Sequence, residues 1–392
     1  MQEIYIERKI KERFDKINKV YPVIAIVGAR QAGKTTFLKE QMKKLRASYL
    51  LFDDPDIRNL FEEDIKKFEK QYINGYEISV LDEVQYCKDS GKKLKYLADT
   101  GRKLWITSSS EIILGKEVLS YLVGRVSIIK LYPFSIQEFL KAKNQKSFTK
   151  DIFERNVWEH ITYGGYPKVV NVEDIELKKT ILKDLYDTMI LKDVARTFSI
   201  DDIRLLEEFT KYLSLNIGGM ISYEKISSNI NISFKTLKKY LDAMEKSYLI
   251  IRVLPFYKNK IKEIVKQPKI YFIDTGLRNF IAKNFDKEPD GRVFENYVLS
   301  ELIKSGFSPK YWRTKSKTEV DFILEKENKI IPIEVKIKSS GKIERNLAAF
   351  IETYKPKKAY VISFKGKTKS KRIKGCKVIF TNILELIKSL SE

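Results

Sequence analysis

A complete phosphate-binding pattern, G-x-x-x-x-G-K-[ST], lies near the start of the chain. Its residues, in order, are Gly28, Ala29, Arg30, Gln31, Ala32, Gly33, Lys34 and Thr35. The pattern follows an apolar run and opens a segment with helical spacing, which is the context that it requires. Glycines let the backbone curl so that its N–H groups face phosphate oxygens, and the helix N-terminus adds a favourable dipole. We therefore predict that ATP with Mg²⁺ binds at residues 28–36, with Thr36 as the last of them.

The polar side chains of this region indicate hydrolysis of the bound nucleotide. Lys34 is expected to reach the β- and γ-phosphates, and the Thr35 hydroxyl is expected to ligate Mg²⁺. A later apolar run ends in Asp82 and Glu83. At the carboxyl end of a strand, where ligands sit in open α/β sheets, Asp82 would hold Mg²⁺ through water. Glu83 would then polarise the attacking water as the general base.

Two further features extend the predicted nucleotide site. The apolar run that contains Trp105 ends in hydroxyl side chains at residues 107–110. These hydroxyls either orient the attacking water, contact the γ-phosphate, or form an ordinary serine-rich turn. Arg125 either supplies charge to the γ-phosphate of a neighbouring subunit, as an arginine finger does, or is a surface arginine or an intrasubunit phosphate contact. The first interpretation of Arg125 predicts a homo-oligomer.

Acidic residues alternate with apolar residues in the last quarter of the chain. Segments 319–324 and 331–336 flank a predicted hairpin tip at residues 327–328. Pairing about that tip places Asp321 opposite Glu334, and two facing carboxylates are unfavourable unless a cation bridges them. The pattern therefore predicts a metal site.

A lysine and a third acid complete this predicted site. Glu334 and Lys336 share one face of the strand, because side chains alternate with period two. Glu295 can join the acids from a helical segment. With Asp321 and Glu334 as metal ligands and Lys336 steadying the nucleophile or the developing charge, this arrangement suits a Mg²⁺-dependent phosphodiesterase. The alternative is a degenerate site that is retained for binding or assembly.

A helix-turn-helix layout is predicted between the two sites. A short helix over residues 222–230, a turn and a longer basic helix place apolar residues at helical spacing. These residues are Ile226, Ile230, Leu237, Leu241 and Met244. Lys235, Lys238 and Lys239 would face outward, available to DNA phosphates, and strands at 250–254 and 270–274 would form a wing. A structural or subunit-contact role is the alternative.

The fold class follows from the order of the elements. Five short apolar runs in the first third of the chain read as buried strands, at residues 21–28, 48–53, 76–83, 103–110 and 125–134. Helical spacing separates them, which predicts an α/β fold with a mostly parallel sheet covered on both faces. From residue 135 to about residue 217, helical periodicity dominates.

Composition narrows the function classes. Lysine and arginine total 75 and aspartate and glutamate total 52, so the formal net charge is +23. This charge favours an anionic partner such as nucleic acid or a membrane surface, although a solvated lysine-rich surface is the alternative. The single histidine, His160, is expected to be structural or exposed, and with two cysteines it excludes His- or Cys-rich zinc sites. No run approaches 18 apolar residues, so we expect no membrane span and a cytoplasmic location.

Several segments, taken in order, resemble a set of prokaryotic AAA+-type P-loop ATPases that is common in archaea and bacteria. These segments are GARQAGKTT, LDEVQ, TSSS, LVGR, LYPFSIQEF and YGGYP. The resemblance implies a P-loop ATPase core, a helical lid, a winged helix and a C-terminal domain similar to PD-(D/E)xK nucleases. The implied boundaries are 1–145, 146–212, 213–285 and 286–392.

The resemblance also assigns individual residues. Asp321 and the Glu334-x-Lys336 pair match the nuclease pattern, with Glu295 as its leading helical acid. Val320 stands where the name of the motif has proline. The YGGYP segment is implied to lie near the nucleotide base as part of the lid, and the usual second sensor arginine has no match.

Three functions fit these features. The first is an ATP-hydrolysing AAA+-type enzyme that acts at DNA. The second is a nucleotide-switched scaffold that binds DNA or protein and carries an inactive nuclease-like domain. The third is an active nuclease that is gated by ATP.

Overall fold

The computed structural model describes residues 5–109, 120–144, 149–259, 266–285, 290–365 and 368–392, together with residues 261, 263 and 288. The chain forms two compact units. The first unit contains residues 1–134, 187–201 and 246–248, and the second contains residues 135–186, 202–245 and 249–392. The backbone therefore leaves and re-enters the first unit twice. The four consecutive domains expected from the sequence remain a prediction.

A five-stranded parallel sheet, in the order β2-β3-β4-β1-β5, forms the first unit's centre. Its strands are β1 (Val23–Val27), β2 (Ala47–Leu51), β3 (Ile78–Asp82), β4 (Leu104–Ser108) and β5 (Val126–Lys130). Every residue of β1, β3 and β4 is buried, which explains why these strands are continuous apolar runs. The predicted parallel sheet is confirmed, and each strand overlaps one of the five predicted runs.

Helices flank this sheet through apolar contacts. They are α1 (Lys11–Asn18), α2 (Lys34–Met42), α3 (Pro55–Glu63), α4 (Ile65–Phe68) and α5 (Ser90–Asp99), with a 3₁₀ turn at Val84–Tyr86 and π-helical segments at Glu69–Ile73 and Met189–Arg196. Phe14 of α1 packs edge-on against Phe37 of α2 and Trp105 of β4, with ring centroids 5.1 and 5.0 Å apart. These aromatic contacts anchor α1 and α2 to the sheet.

The second unit begins with helices. Its helices are α6 (Ile136–Ala142), α7 (Lys150–Tyr163), α8 (Pro167–Val170), α9 (Ile175–Thr188), α10 (Ile203–Leu215), α11 (Tyr223–Ile230), α12 (Phe234–Lys246), α13 (Thr275–Ala282), α14 (Gly291–Lys304), α15 (Arg345–Tyr354) and α16 (Ile383–Ser391). Within the described part of residues 135–217 every regular element is helical, as the periodicity predicted. None of the helices in the described ranges is long and apolar enough to span a membrane.

Two sheets complete the second unit. The smaller pairs β6 (Ile250–Val253) with β7 (Lys269–Phe272). The larger has the order β12-β13-β11-β10-β9-β8. Its strands are β8 (Lys310–Arg313), β9 (Glu319–Lys326), β10 (Lys329–Lys338), β11 (Lys358–Lys365), β12 (Lys369–Ile373) and β13 (Cys376–Thr381).

The hairpin of β9 and β10 has the predicted register. Lys326 pairs with Lys329 next to the tip, and Phe322 pairs with Ile333 farther along the ladder. Asp321 and Glu334 therefore follow directly after the last of these pairs. Trp312, in β8, packs edge-on against Phe350 with ring centroids 5.1 Å apart, so it is a core residue.

The helix pair α11–α12 and the β6–β7 strands occur where the helix-turn-helix and its wing were predicted. The Ser222 side chain caps α11 by accepting from the Lys225 N–H. Ile226, Leu237 and Met244 are buried. The antiparallel pairing of β6 and β7 follows α12 after three residues.

The YGGYP segment is held by close packing within the second unit. Gly164 has φ +78, and a Cβ there would lie 2.0 Å from Oδ1 of Asp274. The Asp274 carboxylate accepts hydrogen bonds from the N–H groups of Gly165, at 2.8 Å, and Leu277, at 3.0 Å. A Cβ on Gly276 would in turn lie 2.1 Å from the Tyr163 carbonyl. These contacts account for glycine in this segment, and a role near the nucleotide base remains a prediction.

We expect Gly164→Ala to lower the free energy of unfolding of the second unit by about 2–4 kcal/mol. The change adds a side chain at a positive φ and forces it against a buried carboxylate. Urea unfolding followed by circular dichroism measures the loss. Gly306→Ala is the matched control, because Gly306 has φ +86 and no atom within 4 Å of the position that a Cβ would take. Equal losses in the two variants would contradict the packing explanation.

Candidate functional site

The phosphate loop (residues 28–35) connects β1 to α2, and both of its glycines are required by the backbone. A Cβ on Gly28 would lie 2.0 Å from the carbonyl oxygen of Leu131, just after β5. Gly33 has φ 96 and is the residue before the first turn of α2. Substitution at either position therefore collides or strains the loop.

The Lys34 side chain is buried within the loop. Its Nζ donates to the carbonyl oxygens of Gly28, at 3.0 Å, and Ala29, at 3.2 Å. Burial lowers the pKa of Lys34, against the attraction of Glu83 and Asp193, which raises it. The ammonium group is thus held beside the loop backbone, the position needed to meet phosphate oxygens.

The Asp82 carboxylate accepts hydrogen bonds from three hydroxyl groups. The Thr35 hydroxyl donates to Oδ2 of Asp82 at 2.8 Å, and the hydroxyls of Tyr49 and Thr107 also donate to this carboxylate. Burial and Asp82 together raise the pKa of Tyr49. The two residues predicted to hold Mg²⁺ near the loop, Thr35 and Asp82, are therefore in direct contact.

Glu83 lies at the turn after β3. Its backbone has φ 59, a left-handed conformation that is uncommon for a residue with a side chain and clusters at functional sites. Its N–H donates to the Thr107 hydroxyl at 2.9 Å, and the Gln85 amide donates to its carboxylate. The Ser109 hydroxyl accepts from the same amide at 3.4 Å, whereas Ser110 lies outside the described residues.

The remaining loop residues divide into buried and exposed positions. Ala29 and Ala32 are buried, and Gln31 and Thr36 are exposed. The predicted finger residue Arg125 is paired with Asp99 and is about one-third exposed, at 37% of its side chain. Nothing in these contacts tests whether Arg125 acts on a neighbouring subunit.

Two contacts of the loop were not predicted. The buried Arg8 donates to the carbonyl oxygens of Ala32, at 2.7 Å, and Tyr132, at 2.6 Å, and so braces the loop. Arg30 donates to Asp193 through Nε and Nη2. Neither Arg8 nor Asp193 belongs to a motif, and Asp193 lies far along the chain, so no spacing pattern could have identified it.

The second group of candidate residues is the acid cluster, which we define as Glu295, Asp321 and Glu334. Oδ2 of Asp321 accepts from the Val335 N–H at 2.7 Å. Burial and the charges of Glu334 and Glu295 raise the pKa of Asp321 well above its usual value. The structure therefore brings the three predicted acids within electrostatic reach of one another.

Glu334 and Lys336 form the expected pair on one face of β10. Nζ of Lys336 lies 2.8 Å from Oε1 of Glu334 and 3.1 Å from Glu344. Oε2 of Glu334 is buried and has no hydrogen-bond partner among the described residues. A pocket of about 20 Å³ is lined by Glu334, Lys336 and Ser339, which is room for about one water molecule.

Glu295 is held by groups that sequence reasoning missed. Nζ of Lys269 lies 3.3 Å from Oε1 of Glu295 and also pairs with Glu319, and the Tyr271 hydroxyl donates to Glu295. Their signal in the sequence is weak, because both lie in an ordinary strand, β7. In this arrangement no three His, Cys, Asp or Glu side chains within the described ranges are grouped closely enough to hold a metal ion. The unpartnered Glu334 oxygen fits a cation, but Glu295 would have to leave Lys269 to join it.

Basic residues occupy two surfaces of the second unit. Lys235, Lys238 and Lys239 are exposed on α12, opposite the buried Leu237. A cavity of about 640 Å³ lies beside the β9–β10 tip. Its lining includes five lysines, Lys326, Lys329, Lys355, Lys357 and Lys358. This second surface was not predicted, because its lysines come from two separate segments, residues 326–329 and 355–358.

His160 is structural. It is buried, its Nδ1 lies 3.0 Å from the Tyr297 hydroxyl, and its ring stacks on Phe139 with centroids 4.6 Å apart. These contacts place it in the core of the second unit.

Family comparisons match three successive parts of the chain. Residues 20–140 match the family described as an AAA domain. Residues 154–288 and 290–383 match two families described as domains of unknown function, DUF8612 and DUF4143. The first match covers the parallel sheet and the phosphate loop, so this part of the chain is similar to an AAA domain.

Relatives of similar length occur in bacteria and archaea. An uncharacterized protein of Haemophilus influenzae is 29% identical over 364 residues, which cover 85% of this chain and 86% of the relative. The uncharacterized protein MJ1544 of Methanocaldococcus jannaschii is 29% identical over 385 residues, which cover 93% of this chain and 86% of the relative. The similarity therefore extends over most of the chain in both cases.

Solved structures show weaker similarity. The Walker-type ATPase PABY2304 of Pyrococcus abyssi has 15% identity and a TM-score of 0.48, covering 71% of this chain and 97% of its own. AMPPCP-bound DnaA from Aquifex aeolicus has 17% identity and a TM-score of 0.31, covering 71% and 92%. These scores are too low to establish a shared fold.

Proposed function

We propose that this chain is an AAA+-type ATPase that binds and hydrolyses Mg²⁺-ATP and acts at DNA. The observation that carries the nucleotide part is the 2.8 Å hydrogen bond between the Thr35 hydroxyl and Asp82. This bond joins Thr35, at the end of the phosphate loop, to Asp82, at the end of β3. A hydroxyl and a carboxylate in these two positions are the metal ligands of a P-loop site. The AAA match of residues 20–140 supports the same reading.

The proposal assigns a role to four residues of this region, Lys34, Thr35, Asp82 and Glu83. Lys34, held beside the carbonyls of Gly28 and Ala29, donates to the β- and γ-phosphates. Thr35 and Asp82 hold Mg²⁺, Asp82 through water. When bound, this ion supplies positive charge to the phosphate oxygens. The Glu83 carboxylate, oriented by Gln85, takes the proton of the attacking water.

DNA contact is the second part of the proposal. Lys235, Lys238 and Lys239 lie exposed on α12, the second helix of the proposed winged helix, and the formal charge of the chain is +23. Clustered basic side chains on one helix face neutralise phosphates and release their counterions. The lysine-lined cavity at the β9–β10 tip supports an additional backbone contact.

The proposal also includes cleavage of DNA by the acid cluster. A competing function, a scaffold without cleavage, is supported by a different contact. For cleavage, Asp321 and Glu334 would hold Mg²⁺ with Glu295, and that ion would activate water. The buried, unpartnered Oε2 of Glu334 favours this role. The engagement of Glu295 by Lys269 favours instead a nucleotide-switched scaffold with an inactive nuclease-like domain. Both functions use the same phosphate loop.

We expect Lys34→Ala to abolish ATP binding, because it removes the charge aimed at the β- and γ-phosphates. Glu83→Gln should bind ATP but hydrolyse it at least about a hundredfold more slowly, the scale of losing a general base. Titration with a fluorescent ATP analogue measures binding, and phosphate release measures turnover. Lys43→Ala and Glu77→Gln, which alter exposed charges just after α2 and just before β3, are the controls and should resemble the wild type. Unchanged turnover in Glu83→Gln would move the base to another residue.

The role of Arg125 is tested by mixing variants in the same assay. If Arg125 acts on the γ-phosphate of a neighbouring subunit, Arg125→Ala and Lys34→Ala proteins should each be inactive and should regain activity when mixed. Turnover that is independent of protein concentration, with no recovery on mixing, would assign Arg125 to the surface pair with Asp99.

We expect replacement of Lys235, Lys238 and Lys239 by alanine to weaken DNA binding at low salt. Each lost phosphate contact should reduce the slope of log affinity against log salt by about one unit. Fluorescence anisotropy with labelled duplex DNA at several salt concentrations measures the slope. Lys211→Ala, which removes an exposed lysine from α10, should leave it unchanged. A slope that is the same in all proteins would remove α12 from the DNA interface.

We expect weak Mg²⁺- or Mn²⁺-dependent DNA cleavage that Lys336→Ala removes while the ATPase rate is kept. Lys336 steadies the nucleophile or the developing charge, and it belongs to a different compact unit from the phosphate loop. Gel assays on duplex, branched and single-stranded DNA measure cleavage. Lys377→Ala, which removes an exposed lysine from β13 of the same sheet, is the control. If no DNA form is cut with either metal, the scaffold function replaces cleavage.

A further inference from the structure

Arg30 of the phosphate loop forms an ion pair with Asp193, to which the proposed function assigns no role. Arg30 donates from Nε to Oδ2 of Asp193 at 3.0 Å and from Nη2 to Oδ1 at 2.8 Å. The Asp193 side chain is only 4% exposed, and that of Arg30 is 21% exposed. The two-point geometry fixes the orientation of the guanidinium group.

Asp193 belongs to a segment of the first unit that is preceded and followed along the chain by residues of the second unit. Residues 187–201 belong to the first unit, whereas the chain before and after them belongs to the second. Asp193 lies in the π-helical stretch Met189–Arg196, a rare helix type that frequently marks functional positions. Its carbonyl accepts the Ser247 hydroxyl at 2.8 Å, so the backbone is also held.

The charge of Asp193 acts on both basic groups of the loop. Burial opposes the charge of Arg30, but the hydrogen bonds to Asp193 outweigh it and raise the pKa of Arg30. Burial lowers the pKa of Lys34, and the charge of Asp193 opposes that lowering. Nζ of Lys34 donates to the carbonyl oxygen of Ala29, the residue next to Arg30. Asp193 therefore pairs with a cation beside the residue that is expected to meet the β- and γ-phosphates.

A triphosphate and the Asp193 carboxylate therefore compete for the same cations. Like charges repel strongly away from bulk water, and a buried carboxylate that shares Arg30 with a phosphate loses part of its compensation. A diphosphate lacks the terminal group and brings less negative charge to this side of the loop. The penalty for keeping Asp193 in place is thus larger with ATP than with ADP.

We propose that Asp193 is an internal competitor of the γ-phosphate, so that the Arg30–Asp193 pair sets the preference of the loop between triphosphate and diphosphate. Asp193 binds Arg30 in the nucleotide-free protein, and the γ-phosphate takes Arg30 from it when ATP binds. By linkage, ATP loosens residues 189–196 and a tighter hold on these residues weakens ATP binding. This inference rests on the proposed binding of ATP at the phosphate loop.

Isothermal titration with ADP and with the non-hydrolysable triphosphate AMPPCP, each with Mg²⁺, tests the proposal on the full chain. Asp193→Asn keeps the shape of the side chain and removes its charge. It should raise AMPPCP affinity by about tenfold, a typical coupling between two binding events, and ADP affinity by much less. Asp201→Asn, which alters an exposed acid of the same segment, should leave both affinities unchanged.

The dependence on Arg30 separates competition from a general effect of charge. Arg30→Gln should lower AMPPCP affinity more than ADP affinity. In the Arg30→Gln background, Asp193→Asn should no longer raise AMPPCP affinity relative to ADP affinity. In the wild type, hydrogen exchange at residues 189–196 should be faster with AMPPCP than with ADP. The exchange measurement needs no variant, so it stands even if a substitution destabilises the fold.

The outcomes distinguish the inference from the function on which it rests. If Asp193→Asn lowers AMPPCP affinity, or shifts both nucleotides equally, Asp193 supports the loop and does not compete with phosphate. Equal hydrogen exchange with the two nucleotides overturns the proposal in the same way. If the wild type binds neither nucleotide, the proposed ATP site itself fails.

Discussion

The nucleotide site depends on one constraint, that the carboxyl ends of parallel strands meet at the same edge of the sheet. β3, β4 and β1 are neighbours, so Asp82 at the end of β3 meets Thr107 of β4 and Thr35 in the connection after β1. β5 flanks β1 on its other side, and the chain just after it leaves no room for a side chain at Gly28. The order of the strands therefore determines both the shape of the loop and the neighbours of the residues that we propose bind Mg²⁺.

Both candidate sites contain buried charges that are balanced by internal partners. In the first unit, Asp193 compensates Arg30 and lies near Lys34. In the second, Lys269 and Lys336 compensate acids of the cluster. Removing one partner of a buried pair is costly, because it leaves the other charge without compensation. Under the proposals above, a charged ligand at either site exchanges with a partner that the protein already supplies, so ligand binding also changes internal contacts.

Local sequence patterns are sufficient to predict much of the fold. The glycines and lysine of residues 28–35, between an apolar run and a helical segment, predicted the β1–loop–α2 unit, and alternation within 319–336 predicted the hairpin and its register. These features depend on neighbouring residues, whose side chains follow the fixed periods of strand and helix. Strand ends differ by a few residues from the predicted runs; after β5, for example, Leu131 is buried although the strand ends at Lys130.

The amino-acid sequence was sufficient to predict the candidate residues of both sites and their spacing, because most of them lie a few positions apart in short segments. It could not identify the groups that hold those residues. Asp193 reaches Arg30 across 163 positions, and Lys269 reaches Glu295 across 26. Periodicity contains no information on such distant pairs, and an aspartate or lysine within an ordinary helix or strand resembles any solvated charge. Packing of the folded chain removes these side chains from water, and burial is what turns them into obligatory partners.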